Sequence, residues 1–349
     1  MDGMDPELAA EASLRAPNGA PHDRFVASYR ARMGYRAEPL APPAITDVEG
    51  AIDIHCHAHE GQQDALAVAQ LASASGMGGL LFKSIVGRDR TDVVGPAGVV
   101  REVERDLAAW SESTGVPPTR LWSGWITSFT RGRGMLEACR ANLDDGVSAV
   151  WMPVFRSANT LSKVGGPPAW WGEAGDWSDP LPWDRALAVG EYTLDERGRL
   201  KPEYREVFRM AADAGVMVSF AHGTHEEIFA MADAVRDLGI TRAVVDHPFS
   251  PFIDLSVAQL TQLAAAGVYL NFTYDEISPL LGVDPKRMAD AIRRIGTDHV
   301  TLSSDAGEPL FPNTVEAMRL IRAHMRAFGL TDEQVHQISV VNPGRLLDA

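Results

Sequence analysis

Ala51-Ile52-Asp53-Ile54-His55-Cys56-His57 is a short apolar run that closes on two histidines two residues apart. In a β-strand, residues i and i+2 project from the same face. His55 and His57 therefore share one side of a strand at its carboxyl end, a geometry suited to holding a single metal ion. A bare H-x-H reads equally well as a pair of packed or solvated histidines. What shifts the reading is that other ligand-type side chains, Lys83, His222, His247 and Asp305, end later β-rich runs.

Those runs keep a rhythm from Ala51 onward. β-rich stretches at 51–57, 78–84, 121–127, 147–153, 216–222, 241–247, 268–274 and 300–305 alternate with amphipathic stretches of helical length. Glycines 76, 115, 146, 215, 239, 267 and 296 each precede one of the last seven, as expected of helix ends leading into strands. Eight such units predict an α/β protein built as a (β/α)8 TIM barrel over residues 46–349. A doubly wound open sheet is the competing architecture, weakened because no G-x-G-x-x-G follows the first strand. Residues 1–45 read as an N-terminal arm and connector, with a short helix over 22–36 and a Pro-rich stretch over 38–44. At the other end, a helix is expected over 312–328 and another from the Thr331 N-cap, interrupted at Asn342-Pro343.

One connection breaks the rhythm. Residues 156–200 form a long insertion after strand four, carrying Trp170, Trp171, Trp177 and Trp183. Loops of this length in a compact domain are usually functional. The tryptophans would line a substrate pocket or lid, or else pin the loop with a small core of its own or form a subunit contact. The segment 165–183 is expected to overhang the barrel mouth.

Composition narrows the function classes. A formal net charge of −15 over 349 residues disfavours nucleic acid and anionic membrane surfaces as partners. Two cysteines, Cys56 and Cys139, cannot make a disulfide framework, which fits a reducing compartment. No apolar run is long enough to span a bilayer, and the first residues lack a secretory pattern, so the expected location is the cytoplasm. A small-molecule substrate and a homo-oligomeric assembly are expected.

In a parallel barrel the active site lies at the carboxyl ends of the strands. His55, His57, Lys83, His222, His247 and Asp305 all fall there. Imidazole and carboxylate together suit one or two divalent ions, zinc first, with manganese or iron as alternatives. Singly, each residue has a bland reading, His222 as a cap before Gly223-Thr224 or Asp305 as an N-cap. Lys83 is one of only four lysines, the other basic positions being arginine. A lysine kept in an apolar strand fits chemistry that needs a neutral amine, such as capture of carbon dioxide, or simply a buried ion pair.

This pattern resembles the amidohydrolase superfamily of metal-dependent hydrolases over about residues 45–349, through H-x-H at 55 and 57, His222, His247 and Asp305. Leu81-Phe82-Lys83-Ser84, Val150-Trp151-Met152-Pro153 and Asn342-Pro343 resemble a poorly characterised branch. The resemblance implies that His55 and His57 bind the more buried metal, and that His222 and His247 bind a second metal or the substrate. It also implies that Asp305 is both ligand and general base. Better-known binuclear members carry a bridging carboxylated lysine on strand four, where this chain has Trp151-Met152-Pro153. Either Lys83 supplies the bridge from strand two or the site holds one metal. His59 and Glu60 stand where neutral or small residues are expected; they either contact substrate or cap the first helix, the cap being the favoured reading. Arg88, Arg156, Trp170, Trp171, Asn271 and Tyr274 are candidate substrate contacts.

The expected activity is attack of metal-activated water on an amide, cyclic amide or related C–N bond, with Asp305 moving the proton. The same machinery reaches lactones and phosphoesters. A metal-dependent decarboxylase on the same barrel, and a non-catalytic barrel that binds through its tryptophan loop, are the rivals.

Overall fold

The computed structural model describes residues 47–59, 62–86, 97–130, 132–165, 179–307 and 311–348. The arm and connector expected over 1–45 lie outside them, as do Glu60, Arg88, Trp170, Trp171 and Trp177. Eight strands pair in parallel in the order β1 to β8. They are β1 (Ile52–His59), β2 (Gly79–Val86), β3 (Arg120–Ile126), β4 (Ala149–Trp151), β5 (Met217–Ser219), β6 (Ala243–Asp246), β7 (Tyr269–Thr273) and β8 (Val300–Ser303). The sheet closes on itself where His57 N donates to Ala306 O and Asp305 N to His55 O, both at 2.8 Å. This is a (β/α)8 barrel, and its seam runs through the H-x-H strand and Asp305.

Helices α1 (Ala65–Ala74), α2 (Ala97–Thr114) and α3 (Met135–Asp145) follow the first three strands. The long connection after β4 contains α4 (Ala158–Lys163), α5 (Trp183–Val189) and α6 (Pro202–Ala214). The second half continues with α7 (His225–Leu238), α8 (Val257–Ala265), α9 (Tyr274–Ile277), α10 (Pro285–Ile295), α11 (Thr314–Ala327), α12 (Asp332–His336) and α13 (Asn342–Asp348). Helix α6 shows why these segments are helical. Pro202 opens it, where a missing N–H costs nothing, and Tyr204, Val207, Phe208 and Ala211 bury one face. Gly215 ends it in the left-handed region that favours glycine. Leu80, Phe208, Phe220, Phe272 and Met318 are fully buried in one continuous core, each contributing roughly 1.5–3 kcal/mol.

Two local expectations fail. Helix α1 is capped by Asp64, whose carboxylate accepts from Ala67 N at 2.7 Å, so His59 does not cap it. The extended strand carries on to His59, which pairs with Gln63 instead. Asn342-Pro343 does not interrupt the last helix either. A π-helical segment, Gln337–Val341, widens the backbone just before it and leads directly into α13. The wide turn accommodates the proline that a regular α-helix would reject. Asn342 Nδ2 donates to Thr297 O and Val300 O, each at 2.7 Å, which ties this junction to the base of β8.

Candidate metal centre

The carboxyl ends of β5, β6 and β8 share a backbone feature. Ala221, His247 and Asp305 have φ of 47°, 34° and 46°, a left-handed conformation that is costly for residues with a Cβ. Such strain clusters at functional sites. It turns the chain out of the ladder just where His222, His247 and Asp305 are needed, and this is why β5 stops at Ser219, short of the expected residue 222. Behind Asp305, Gly307 sits at φ 115°, and a Cβ there would lie 1.8 Å from His57 O. Only glycine lets the β8 turn press against the H-x-H strand.

At the mouth, Asp305 Oδ1 lies 3.0 Å from His55 Nε2 and 2.9 Å from His57 Nε2. Lys83 Nζ approaches the same His55 Nε2 to 3.0 Å. His247 Nε2 is 3.8 Å from Asp305 Oδ2, and the rings of His222 and His247 meet edge to face at 4.9 Å. His55, His57, Lys83 and His247 thus lie around Asp305, with His222 beside His247. His55, His57, Lys83, His222 and His247 are buried, whereas the Asp305 side chain keeps 12% exposure.

Each ring is also held from behind. His57 Nδ1 contacts Ser84 Oγ at 2.5 Å, and His222 Nδ1 contacts Thr160 Oγ1 at 2.9 Å. His55 Nδ1 lies 3.0 Å from Asp246 Oδ1. Outer partners of this kind fix which ring nitrogen carries the proton and aim the other inward. His247 Nδ1 is buried, with no hydrogen-bond partner among the described residues. The donor set fits a divalent ion. The ligand atoms of His55, His57 and Asp305 lie within 4.8 Å of one another, and ligands about 2.0–2.2 Å from zinc stand at this kind of spacing.

The electrostatics agree. Burial lowers His57 and His247 to about 4, although the Asp305 carboxylate pulls both upward. Burial and then the charge of His247 hold His222 well below the ordinary imidazole value. These three rings are neutral at pH 7, the form that can bind metal. Burial also pulls His55 down, yet the carboxylates of Asp305 and Asp246 outweigh burial and Lys83 and raise it to about 9. Asp305 is held well below the carboxylate range: burial opposes this, but the charge of His55 and hydrogen bonds from His55 and His57 prevail.

The other expected contacts divide. Asn271 is not available to a substrate. It is fully buried below the mouth, its Nδ2 donating to Asp246 Oδ1 at 2.7 Å. Its Oδ1 accepts from Thr301 Oγ1 and Ser303 Oγ at 2.9 and 2.8 Å. Arg156 extends to Glu191, with Nε 3.7 Å from Oε1 and its side chain 44% exposed. Tyr274 opens α9 and keeps 9% exposure. Residues 166–178 of the insertion lie outside the described residues. Its flanks form a small core of Ala158, Leu161 and Ala186, with Leu181 and Tyr192 against it. Trp183 lies edge-on to Tyr192 and is 41% exposed. The first part of the insertion reaches the backbone around His222: Asn159 Nδ2 donates to the carbonyls of His222, Gly223 and Phe252.

Sequence reasoning missed Asp246, Ser84 and Thr160. Asp246 had a visible signal, an ionisable residue ending the run Ala-Val-Val immediately before His247. Ser84 and Thr160 had none, since a hydroxyl in a strand or short helix is unremarkable.

No curated protein sequence matches this chain. Among solved structures, an amidohydrolase from Pseudomonas aeruginosa is 13% identical, with a TM-score of 0.55 over 86% of this chain and 95% of that one. The dipeptidase AC, a metallopeptidase, is 16% identical, with a TM-score of 0.53 over 87% and 100%. A probable dipeptidase from Pseudomonas aeruginosa is 11% identical, with a TM-score of 0.51 over 86% and 95%. At these identities the likeness is one of fold, the (β/α)8 barrel. Residues 50–271, more than half of the chain, match the model of DUF6282, a family of unknown function, and the chain belongs to that family.

Proposed function

We propose that this protein is a metal-dependent hydrolase that cleaves an amide, cyclic amide or related C–N bond of a small molecule. The observation that carries the reading is the meeting of His55 Nε2 and His57 Nε2 on Asp305 Oδ1, at 3.0 and 2.9 Å, in the mouth of the barrel. His55, His57 and Asp305 would hold the ion, with His222, His247 and Lys83 available to a second ion or to the substrate. A bound divalent cation supplies Lewis acidity, polarising a carbonyl and acidifying water.

The chain's own groups supply the rest. Asp305 is anionic and is the more exposed member of the cluster, so it accepts the proton of the attacking water and returns it to the departing nitrogen. The neutral rings of His222 and His247, on the adjoining strand ends, can donate to the oxygen that gains charge during attack. Lys83, as a carbamate formed with carbon dioxide, would provide an anionic bridging ligand from β2 in place of one from β4. Fold likeness to an amidohydrolase and two dipeptidases supports hydrolysis as the reaction class. A metal-dependent decarboxylase is the second reading. It is favoured by Trp151, which occupies the strand-four position with a side chain that cannot bridge two ions.

Metal analysis of the purified protein, paired with a screen of N-acyl, cyclic-amide, lactone and phosphoester substrates, tests the proposal. Bound metal with turnover of a C–N substrate supports it. A protein that takes up no zinc, manganese or iron overturns it.

A further inference from the structure

Below the mouth lies a polar group that the hydrolytic reading leaves unused. Asp246, the last residue of β6, is 1% exposed, and donors from four other strands surround its carboxylate. Trp151 Nε1 of β4 donates to Oδ2 at 2.8 Å, and Ser219 Oγ of β5 donates to the same oxygen at 2.5 Å. Asn271 Nδ2 of β7 donates to Oδ1 at 2.7 Å, and His55 Nδ1 of β1 lies 3.0 Å from that oxygen. Asn271 in turn is fixed by Thr301 and Ser303 of β8. A polar belt therefore crosses the barrel interior from β4 to β1.

A carboxylate offers about four lone-pair positions to donors. Here Trp151, Ser219 and Asn271 fill three and His55 Nδ1 faces the fourth at 3.0 Å, so Asp246 has none left for a metal. An unpaired buried carboxylate would be costly, and the four donors offset that cost. Trp151 is fully buried, and its ring edge faces the His55 ring with 5.8 Å between centroids. It contacts the site from the position where a strand-four ligand would stand.

We infer that Asp246, anchored by Trp151, Ser219 and Asn271, is the positioning residue that turns His55 Nε2 toward the metal. Strand four then serves the centre with an N–H donor instead of a ligand. Asp246 keeps one proton of His55 on Nδ1, so the proton that a metal displaces is the one on Nε2, which faces Asp305 at 3.0 Å. The negative charge of Asp246 also makes the imidazole a stronger donor.

This inference rests on the proposed metal centre, and the experiment separates the two. Crystal structures of metal-free wild type, Asp246→Asn and Trp151→Phe give the orientation of the His55 ring. Zinc titration against a competing chelator gives the affinity, and thermal melting reports the fold. Trp151→Phe keeps the aromatic bulk and removes only the N–H, so it remains informative if Asp246→Asn folds poorly. The expected result is a His55 ring turned away from Asp305 in Asp246→Asn, with zinc affinity about 10- to 100-fold weaker. Trp151→Phe should shift both in the same direction by less, and the d–d absorption of its cobalt form should differ from that of wild type. An unmoved His55 ring, or unchanged zinc affinity in both variants, overturns the inference. If wild type itself binds no metal, the hydrolase reading fails, and the ring orientation still decides the role of Asp246.

Discussion

In the proposed hydrolysis Asp305 would have to do two things that pull in opposite directions, to stay anionic among buried groups and to accept a proton from water. The first is secured by His55 and His57, whose ring nitrogens lie about one hydrogen-bond length away. The second needs access to water, and its side chain is the most open of the cluster. Asp305→Asn keeps the shape and removes the basic oxygen. It is expected to lower turnover by about 10²- to 10⁴-fold with an unchanged melting transition; unchanged turnover would remove Asp305 as the base. Lys83 is tested separately. Lys83→Ala should lower metal content by at least about tenfold, an effect at least as large as loss of an outer partner. Short-chain carboxylates should restore part of it if a carbamate is the missing ligand. Full metal occupancy and activity in the variant would leave Lys83 structural and strengthen the decarboxylase reading. His55, His57, His222, His247 and Asp305 were legible in the sequence because each is a polar residue closing an apolar run. Asp246 was not legible as a positioning group, because its role is defined by donors on other strands, Trp151 being 95 residues away. Asn271 was misread for the same reason: it reads as a polar residue of strand seven open to substrate, but nothing in the sequence said it would sit below the mouth with its amide fully engaged.

At the scale of elements, the site depends on junctions. The eight strands were legible from apolar runs and the glycines that precede them, and their seven glycines all take positive φ. Their ends were harder to read, because a left-handed residue such as Ala221 leaves no mark in composition. The π-helical turn before Pro343 was also hidden, since proline normally ends a helix and here the preceding backbone widens to admit it. The β1–β8 seam is the junction on which the centre depends most. Gly307→Ala would place a methyl group against the His57 carbonyl and force φ 115° on a residue with a Cβ. Backbone strain alone is worth about 1–3 kcal/mol, and relief requires β1 to move. A lower melting temperature together with weaker zinc binding is expected from calorimetry and chelator competition. A variant that melts lower yet binds zinc as wild type does would separate the seam from the centre. The α4 junction makes a milder test. Thr160→Val removes the hydroxyl behind His222 while keeping its bulk. It should weaken binding of a second metal or of substrate and leave the His55–His57 ion in place, as metal stoichiometry would report.

For the whole molecule, the buried charges set how stability depends on pH before any metal binds. His55 is raised to about 9 in the fold, because the carboxylates of Asp305 and Asp246 outweigh burial. Between its unfolded value of roughly 6.5 and 9, the folded state therefore holds a proton that the unfolded state has lost. Its contribution to stability is complete below the unfolded value and is lost as pH rises through 9. Glu276 acts in the same direction. Burial raises its carboxyl to about 8 even though Phe249 N and Thr273 N donate to it, so ionising it above its unfolded value costs folded-state stability up to pH 8. Asp275, pushed up by burial and then by the charge of Asp305, adds to the trend. Chelator-treated protein should thus need progressively less denaturant to unfold as pH rises from about 6.5 to 9. Metal must reverse part of this, because it replaces the proton on His55, and proton release favours binding at higher pH. The difference in denaturation midpoint between zinc-loaded and chelator-treated protein should therefore widen over the same interval. A flat midpoint for the metal-free protein would mean that His55 is not held protonated by Asp305 and Asp246. A constant zinc increment would mean that the ion does not displace that proton, and His55 would lose its place among the ligands.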